Sequence, residues 1–154
     1  MAQEIERKFL VDLNKLPPLP LGVAIKQAYI DTKGHTVVRV RLIGDEAFLT
    51  LKGANRGNVR SEFEYAVPVD DAKAIVAELC DGPSVEKTRY LLPHGEHVWE
   101  LDIFEGDNQG LVVAEVETAT EHEVVQLPSW VTQEVSGQAR YYNVSLLKKP
   151  YCQW

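Results

Sequence analysis

Pairs of like-signed charges recur along this chain, with the two members of each pair two residues apart. Successive side chains of a β-strand point to opposite faces, so the members of each pair would share one face of a strand. The sequence therefore predicts several strands that each have one charged face and one largely apolar face. The acidic pairs are Glu4 with Glu6, Glu62 with Glu64, Glu100 with Asp102, and Glu115 with Glu117, and the basic pairs are Arg39 with Arg41 and Lys87 with Arg89.

The separation of these pairs by sign constrains where the charged faces can lie. On a solvated sheet, neighbours of opposite charge are favourable, whereas like charges side by side cost free energy. For any single strand, the plain alternative is the solvated outer face of an ordinary antiparallel sheet. For the whole set we favour a closed or nearly closed sheet, with the charged face lining a lumen and the apolar face packed under helices and surface side chains.

The two kinds of charge indicate what such a lumen would bind. Lys8 and Lys52 would join the basic pairs on the same inner face. Clusters of lysine and arginine bind phosphate, and clusters of carboxylates suit hard cations such as Mg²⁺ or Mn²⁺. An anion with several phosphates, together with one or two divalent cations, would neutralise both sets of buried charges.

The rest of the chain predicts a mainly β protein with some α-helix, an α+β fold. Alternating segments give about eight strands, all compatible with antiparallel pairing. Residues 70–80 predict a helix, and a second short helix is predicted over 119–127. Residues 139–149 are compatible with a helix that either packs on the sheet or closes one mouth of the lumen. With no repeat or linker, residues 1–154 are predicted to form a single domain.

Composition and charge exclude several classes of function. The net charge of −7 at pH 7 argues against nucleic-acid binding, which needs a basic surface. No apolar run is long enough to span a membrane. The N-terminal segment is charged from Glu4 onward and has no signal-peptide core, so we expect a cytoplasmic protein. The oligomeric state stays open, a homodimer included.

The segment EIERKFLV contains the triple Glu4-x-Glu6-x-Lys8 and resembles the signature of the CYTH superfamily, also called the triphosphate tunnel metalloenzymes. Further segments resemble the family's motifs, in the same order, along nearly the whole chain. They are Gln27–Tyr29, Val38–Arg41, Leu49–Lys52, the pair Glu62 and Glu64, Glu86–Tyr90, Trp99–Asp102, Val113–Glu117 and Arg140–Tyr141. The short length is similar to that of compact bacterial members, which are often inorganic triphosphatases.

This resemblance implies an eight-stranded antiparallel β-barrel tunnel, open at both ends, with a charged lumen and a few flanking helices. It implies that the triphosphate is held by Lys8, Arg39, Arg41, Lys52, Lys87, Arg89 and Arg140. It implies that metal is held by Glu4, Glu6, Glu115 and Glu117, with Glu62, Glu64 and Asp102 completing the metal shell directly or through water. Tyr29 resembles the family tyrosine that contacts the signature lysine, which here is Lys8.

The expected activity is metal-dependent hydrolysis of inorganic triphosphate to pyrophosphate and phosphate. Lys8 would neutralise charge on the terminal phosphate or the leaving group, and a carboxylate would accept the proton of the attacking water. Glu62, Glu64 and Asp102 all stay candidates for that base, so the catalytic set is these three with Lys8 and Tyr29. An adenylate cyclase, a thiamine triphosphatase and a non-catalytic sensor of polyphosphate or nucleotides are the alternatives.

Overall fold

The computed structural model describes residues 3–154, which form nine β-strands and one α-helix. The strands are β1 (Gln3–Val11), β2 (Val23–Ile30), β3 (Val37–Ile43), β4 (Glu46–Lys52), β5 (Val59–Val67), β6 (Asp81–His94), β7 (His97–Phe104), β8 (Val112–Glu117) and β9 (Val131–Glu134). The helix α1 spans Val69–Leu79, within one residue of its predicted position at each end. Short 3₁₀ turns lie at Leu13–Lys15, Gly106–Asn108, Ala139–Tyr141, Asn143–Leu147 and Tyr151–Gln153.

Eight of these strands close into a barrel. Their order around the ring is β5-β4-β3-β2-β6-β7-β8-β1, and β1 closes the ring by pairing with β5. All of these pairings are antiparallel. Farther along β1, Phe9 and Val11 pair with the short strand β9, which lies outside the ring. The predicted eight-stranded antiparallel barrel is therefore confirmed.

Alternation along the strands places charged side chains inside the barrel and apolar side chains outside it. On β7, Trp99 faces outward and is buried beneath a loop that supplies Val125 and Trp130. On β3, Val40 faces outward and is buried beneath α1. Much of the hydrophobic core therefore lies outside the barrel wall, where the helix and the loops bury apolar surface. The charged side chains line the lumen.

One end of the lumen is filled by apolar side chains. Val85, Phe104 and Val113 face inward there, on the same alternation that places charges farther along these strands. The C-terminal 3₁₀ turns pack Tyr141 and Leu146 against them. The expectation that the tunnel is open at both ends is therefore wrong for this end of the lumen. The C-terminal segment closes it, which agrees with the interpretation of residues 139–149 as a closure of one mouth.

Two segments that were predicted to be helical do not form α-helices. Residues 119–127 form a loop in which Val125 is buried whereas its neighbour Val124 is 90% exposed, and Glu123 contacts His97 of β7. Residues 139–149 form two 3₁₀ turns instead of one α-helix, because Tyr142 has an extended backbone between them. No helix within residues 3–154 has the length and apolar character needed to cross a membrane.

Candidate active site

The inward-facing charges divide the wall of the lumen into two arcs of opposite sign. The basic arc consists of the adjacent strands β4, β3, β2 and β6 and carries Lys52, Arg39, Arg41, Lys87 and Arg89. The acidic arc consists of β7, β8, β1 and β5 and carries Glu100, Asp102, Glu115, Glu117, Glu4, Glu6, Glu62 and Glu64. Two basic residues, Lys8 and Arg60, also stand on the acidic arc. The segregation by sign within each sequence pair is thus a segregation in space.

The two arcs face each other across a cavity of about 270 Å³. Most of the predicted site residues line it, although they come from seven different strands. They are Glu4, Glu6, Lys8, Tyr29, Arg39, Arg41, Lys52, Glu62, Glu64, Lys87, Arg89, Glu115 and Glu117. The fold therefore brings these side chains to one place, and only Asp102 and Arg140 among the predicted residues stand apart from the lining.

Ion pairs link basic and acidic side chains within the cavity. Lys52 Nζ lies 2.7 Å from Glu4 Oε2 and 3.2 Å from Glu62 Oε2. Lys8 Nζ lies 3.6 Å from Glu115 Oε1. Each buried lysine is therefore balanced by carboxylates, as burial of a charge requires.

Asp102 anchors the two cations of β6 from behind the lining of the cavity. It is 0% exposed, and its carboxylate accepts from Lys87 Nζ at 2.7 Å. Arg89 donates to it from Nε at 2.8 Å and from Nη2 at 2.9 Å. Burial raises the pKa of Asp102, but the charges of Lys87 and Arg89 outweigh burial and shift it below its ordinary value. These contacts fit a positioning role better than direct contact with metal or water.

Cations crowd one another on the basic arc. Burial lowers the pKa of Lys87 to about 8, against the opposing charge of Asp102. Burial also lowers the pKa of Arg41, and the charges of Arg39 and Arg89 lower it further. An anion bound between these side chains would relieve their mutual repulsion and replace the lost solvation.

Carboxyl groups crowd one another on the acidic arc. Burial raises the pKa of Glu6 well above its ordinary value, and the charges of Glu115 and Glu4 raise it further. Burial also raises the pKa of Glu62 to about 7, with added effects from its hydrogen bond to Glu4 and the charge of Glu4. Burial and the charge of Glu4 raise the pKa of Glu117. This surface would be stabilised by a bound cation.

The acidic arc has the donor chemistry of a site for a hard cation. Within residues 3–154, no three His, Cys, Asp or Glu side chains already stand in metal-ligating positions. The carboxyl groups of Glu4, Glu6 and Glu115 nevertheless all line the cavity, and the charges of Glu115 and Glu4 raise the pKa of Glu6 beyond the effect of its burial. Neighbouring carboxylates with oxygen as the donor atom are the ligands that Mg²⁺ and Mn²⁺ prefer. The residues present therefore fit such an ion.

The environments of Tyr29 and Lys8 differ from the expectation that they contact each other. Lys8 Nζ donates to the backbone oxygen of Tyr141 at 3.1 Å. The hydroxyl of Tyr29 accepts from Gln27 Nε2 at 2.7 Å. Within residues 3–154, no hydrogen bond joins Tyr29 to Lys8, although both side chains line the cavity.

Arg140 stacks on the outer surface of the C-terminal segment. Its guanidinium carbon lies 4.3 Å from the ring centre of Trp154 and 5.1 Å from that of Tyr141. Its Nη2 donates to the Tyr141 hydroxyl at 3.1 Å. The side chain is exposed and lies outside the lining of the cavity.

Several lining residues were not in the predicted set. Alternation had already placed Glu100 on the charged face with Asp102, although no role was given to it, and Arg60 shares a face with Glu62, so the same rule could have found it. Tyr142 and Asn143 come from irregular backbone, where no periodicity indicates a direction. Gln27 lies beside the site, but as a neutral residue it gave no charge signal.

Known sequences match this chain over nearly its whole length. Residues 2–151 match a protein family described as the CYTH domain. A protein of Acetivibrio thermocellus named inorganic triphosphatase is 42% identical over 151 residues, which cover 98% of this chain and 97% of that protein. A protein of Nitrosomonas europaea with the same name is 37% identical over 149 residues, which cover 93% of this chain and 95% of that protein.

Solved structures share the fold. The crystal structure of the inorganic triphosphatase NE1496 superposes with a TM-score of 0.65 at 33% identity, over 96% of this chain and 95% of that chain. The PH1012 protein of Pyrococcus horikoshii superposes with a TM-score of 0.59 at 20% identity, over 77% and 80% of the two chains. The second likeness concerns the fold alone.

Proposed function

The chain belongs to the CYTH domain family, and from that premise we propose that it hydrolyses inorganic triphosphate to pyrophosphate and phosphate with the help of Mg²⁺ or Mn²⁺. The observation that carries this proposal is the pair of opposed arcs around one cavity. A surface that only bound phosphate would need the basic arc, whereas the crowded carboxylates opposite it need cations. The family match over 2–151 also supports the proposal that residues 1–154 are a single domain.

The basic arc would bind the triphosphate and stabilise the charge that shifts during its cleavage. Phosphoryl transfer depends mainly on positioning and on neutralising charge over the phosphate oxygens. Arg39 and Arg41 on β3 and Lys87 and Arg89 on β6 line the cavity on either side of β2. Asp102 would hold the β6 cations in place before the substrate arrives, and such preorganisation strengthens their effect on the transition state.

The acidic arc would hold the metal through Glu4, Glu6, Glu115 and Glu117. A bound divalent ion supplies charge neutralisation at the phosphates and makes a bound water more acidic. Lys8 stands among these carboxylates, where it would meet the end of the triphosphate nearest the metal.

The general base is proposed on geometry. Glu62 and Glu64 line the cavity and lie partly open to it, whereas Asp102 is 0% exposed and saturated by cations. A base must come within hydrogen-bond reach of the water whose proton it takes. We therefore assign this role to Glu62 or Glu64 and a positioning role to Asp102.

The proposed function is tested with a panel of phosphate compounds. Triphosphate, pyrophosphate, long-chain polyphosphate, ATP and thiamine triphosphate would each be incubated with Mg²⁺, with Mn²⁺ and with a chelator. We expect phosphate release mainly from inorganic triphosphate and only with metal. Production of cyclic AMP from ATP, preferential cleavage of thiamine triphosphate, or tight binding without turnover would each contradict the proposal and select the corresponding alternative.

The remaining predictions concern the setting of the protein. We propose that it acts in the cytoplasm and binds neither nucleic acid nor membranes, and the net charge of −7 supports the absence of nucleic-acid binding. A homodimer stays open. Size-exclusion chromatography with light scattering decides the oligomeric state.

A further inference from the structure

The C-terminal segment contributes a neutral side chain to the otherwise charged wall. Asn143 begins the 3₁₀ turn Asn143–Leu147 and lines the cavity. The same turn is fixed by Leu146, which is buried among the apolar side chains that fill this end of the barrel. The position of Asn143 is therefore determined by the packing of the tail.

The contacts of Asn143 determine which way its amide faces. Lys87 Nζ lies 2.9 Å from Asn143 Oδ1, and Gln27 Nε2 lies 3.0 Å from the same oxygen. A lysine ammonium can only donate hydrogen bonds, so the Asn143 atom facing it must be the oxygen. The amide nitrogen Nδ2 is then turned away from both partners, and it donates to no residue within 3–154.

Gln27 holds this arrangement from the middle of the basic arc. Its side chain is 0% exposed, and its amide nitrogen donates to Tyr29 and to Asn143. Its own Oε1 is buried with no hydrogen-bond partner within residues 3–154. The two bonds that Nε2 donates therefore fix the orientation of the Gln27 amide and link it to Asn143.

We propose that Asn143 is a substrate-binding residue, whose Nδ2 donates a hydrogen bond to a phosphate oxygen of the triphosphate, and that Gln27 is its positioning residue. This inference rests on the proposed function. An amide donor bound to a charged phosphate oxygen forms a charge-assisted hydrogen bond, which is stronger than a bond between neutral groups. The neighbouring Lys87 would bind the same phosphate, with Asn143 Oδ1 holding its ammonium in place.

The direct test compares Asn143→Asp and Asn143→Ala with Ser145→Ala. Aspartate keeps an oxygen for Lys87 and Gln27 but replaces the donor with a charge that repels phosphate. Ser145 lies on the same turn and outside the lining of the cavity, so its variant controls for disturbance of the tail. We expect KM for triphosphate to rise about 10- to 100-fold in both Asn143 variants, with kcat changed much less, as loss of a hydrogen bond to a charged group predicts.

Calorimetric binding of inorganic triphosphate, in buffer without divalent cations, gives a second readout. The Asn143 variants should bind it about 10- to 100-fold more weakly than the wild type, and Ser145→Ala should bind it equally well. If Asn143→Ala does not fold, Asn143→Leu takes its place, because leucine keeps the volume and removes the donor without adding a charge.

The role of Gln27 is tested by a double-mutant cycle with Gln27→Met, which keeps the volume and removes the amide. On its own this variant should weaken triphosphate binding. In the Asn143→Ala background it should weaken binding much less, because the residue it positions is already gone. Equal effects in the two backgrounds would overturn the positioning role.

The outcomes separate this inference from the proposed function. Normal KM and normal binding in Asn143→Asp, with an active wild type, overturn the inference and leave the function intact. A wild type that binds triphosphate without cleaving it, together with weaker binding in Asn143→Ala, overturns the function and supports the inference. A wild type that neither binds nor cleaves triphosphate overturns both.

Discussion

The basic and acidic arcs of the same barrel differ in how their charges are held. The cations of β6 are fixed by Asp102, which is buried behind them and contacts both at 2.7–2.9 Å. On the acidic arc, burial and the charges of Glu115 and Glu4 raise the pKa of Glu6. The pKa values of Glu4 and Glu115 lie below their ordinary values, beside Lys52 and Lys8. The difference indicates that the cations of β6 are preorganised by the protein itself, whereas Glu6 on the acidic arc would need a bound cation for its neutralisation.

The largest expected effect comes from removing the anchor of the basic arc. Asp102→Ala would leave Lys87 and Arg89 buried without their shared partner, and breaking a buried ion pair costs about 3–5 kcal/mol. The free energy of unfolding, measured in urea, should fall by that amount. Glu96→Ala, in the exposed β6–β7 turn, is the matched control and should leave it unchanged. An equal loss in both variants would show that Asp102 has no special anchoring role.

The next effect concerns substrate binding by the basic arc. Arg41→Ala should lower kcat/KM for triphosphate at least ~10²-fold, comparable with the loss of one strong electrostatic donor. Lys8→Ala, on the facing arc, should lower it at least as far for the same reason. Lys26→Ala removes a cation from the exposed outer face of β2 and should have no effect. Near-normal turnover in Arg41→Ala and Lys8→Ala would refute these assignments.

On the acidic arc, one substitution is expected to have two smaller and opposite effects: it should weaken metal binding and raise thermal stability. Glu6→Gln keeps an oxygen ligand but removes a charge, so half-maximal activity should require about 10-fold more metal. Burial, Glu115 and Glu4 raise the pKa of Glu6, so its ionisation opposes folding at neutral pH.

The same variant should therefore be more heat-stable than the wild type when a chelator is present, by about 2–4 °C for each kcal/mol gained. Glu86→Gln removes an equal charge from an exposed position and is the control for both measurements. Unchanged metal dependence together with a lower unfolding temperature would contradict the role given to the acidic arc.

The smallest effect is expected for Arg60, a cation that lies on the acidic arc. Arg60 lies 3.8 Å from Glu4 Oε1, and its guanidinium carbon lies 6.0 Å from the ring centre of Tyr142. Its pairing in the cavity is loose, so Arg60→Ala should lower kcat/KM by about 3- to 10-fold, the scale of a partly exposed ion pair. Arg56→Ala, outside the lining, is expected to match the wild type. A decrease in kcat/KM of more than 100-fold would contradict this expectation and give Arg60 a role as large as that of the cations on the basic arc.

The barrel and most of its lining could be predicted because both follow from one rule, the alternation of side chains along strands. The rule gives the face of each residue but not its depth along the lumen. Asp102 obeys it and points inward, yet Arg89, directly opposite it in the strand pairing, covers it. Val113 also points inward, at the end that the tail fills.

The rest of the site depends on features without periodicity. Asn143 reaches the cavity from a 3₁₀ turn whose direction is set by tertiary packing, and Arg140 was assigned by resemblance alone. Gln27 and Tyr29 share a face of β2, but a neutral side chain contributes nothing to the charge pattern from which the site was predicted. Sequence therefore predicted the charged wall well and the neutral and irregular parts of the site poorly.

The central claim is that a metal-binding arc faces an anion-binding arc across one cavity. Anomalous diffraction at the manganese edge, from crystals of the wild type soaked with Mn²⁺ and inorganic triphosphate, tests it most directly. We predict manganese peaks beside Glu6 and Glu115, with phosphate density against Arg39 and Arg41. Manganese and phosphate found only on the outer surface of the barrel would contradict the account.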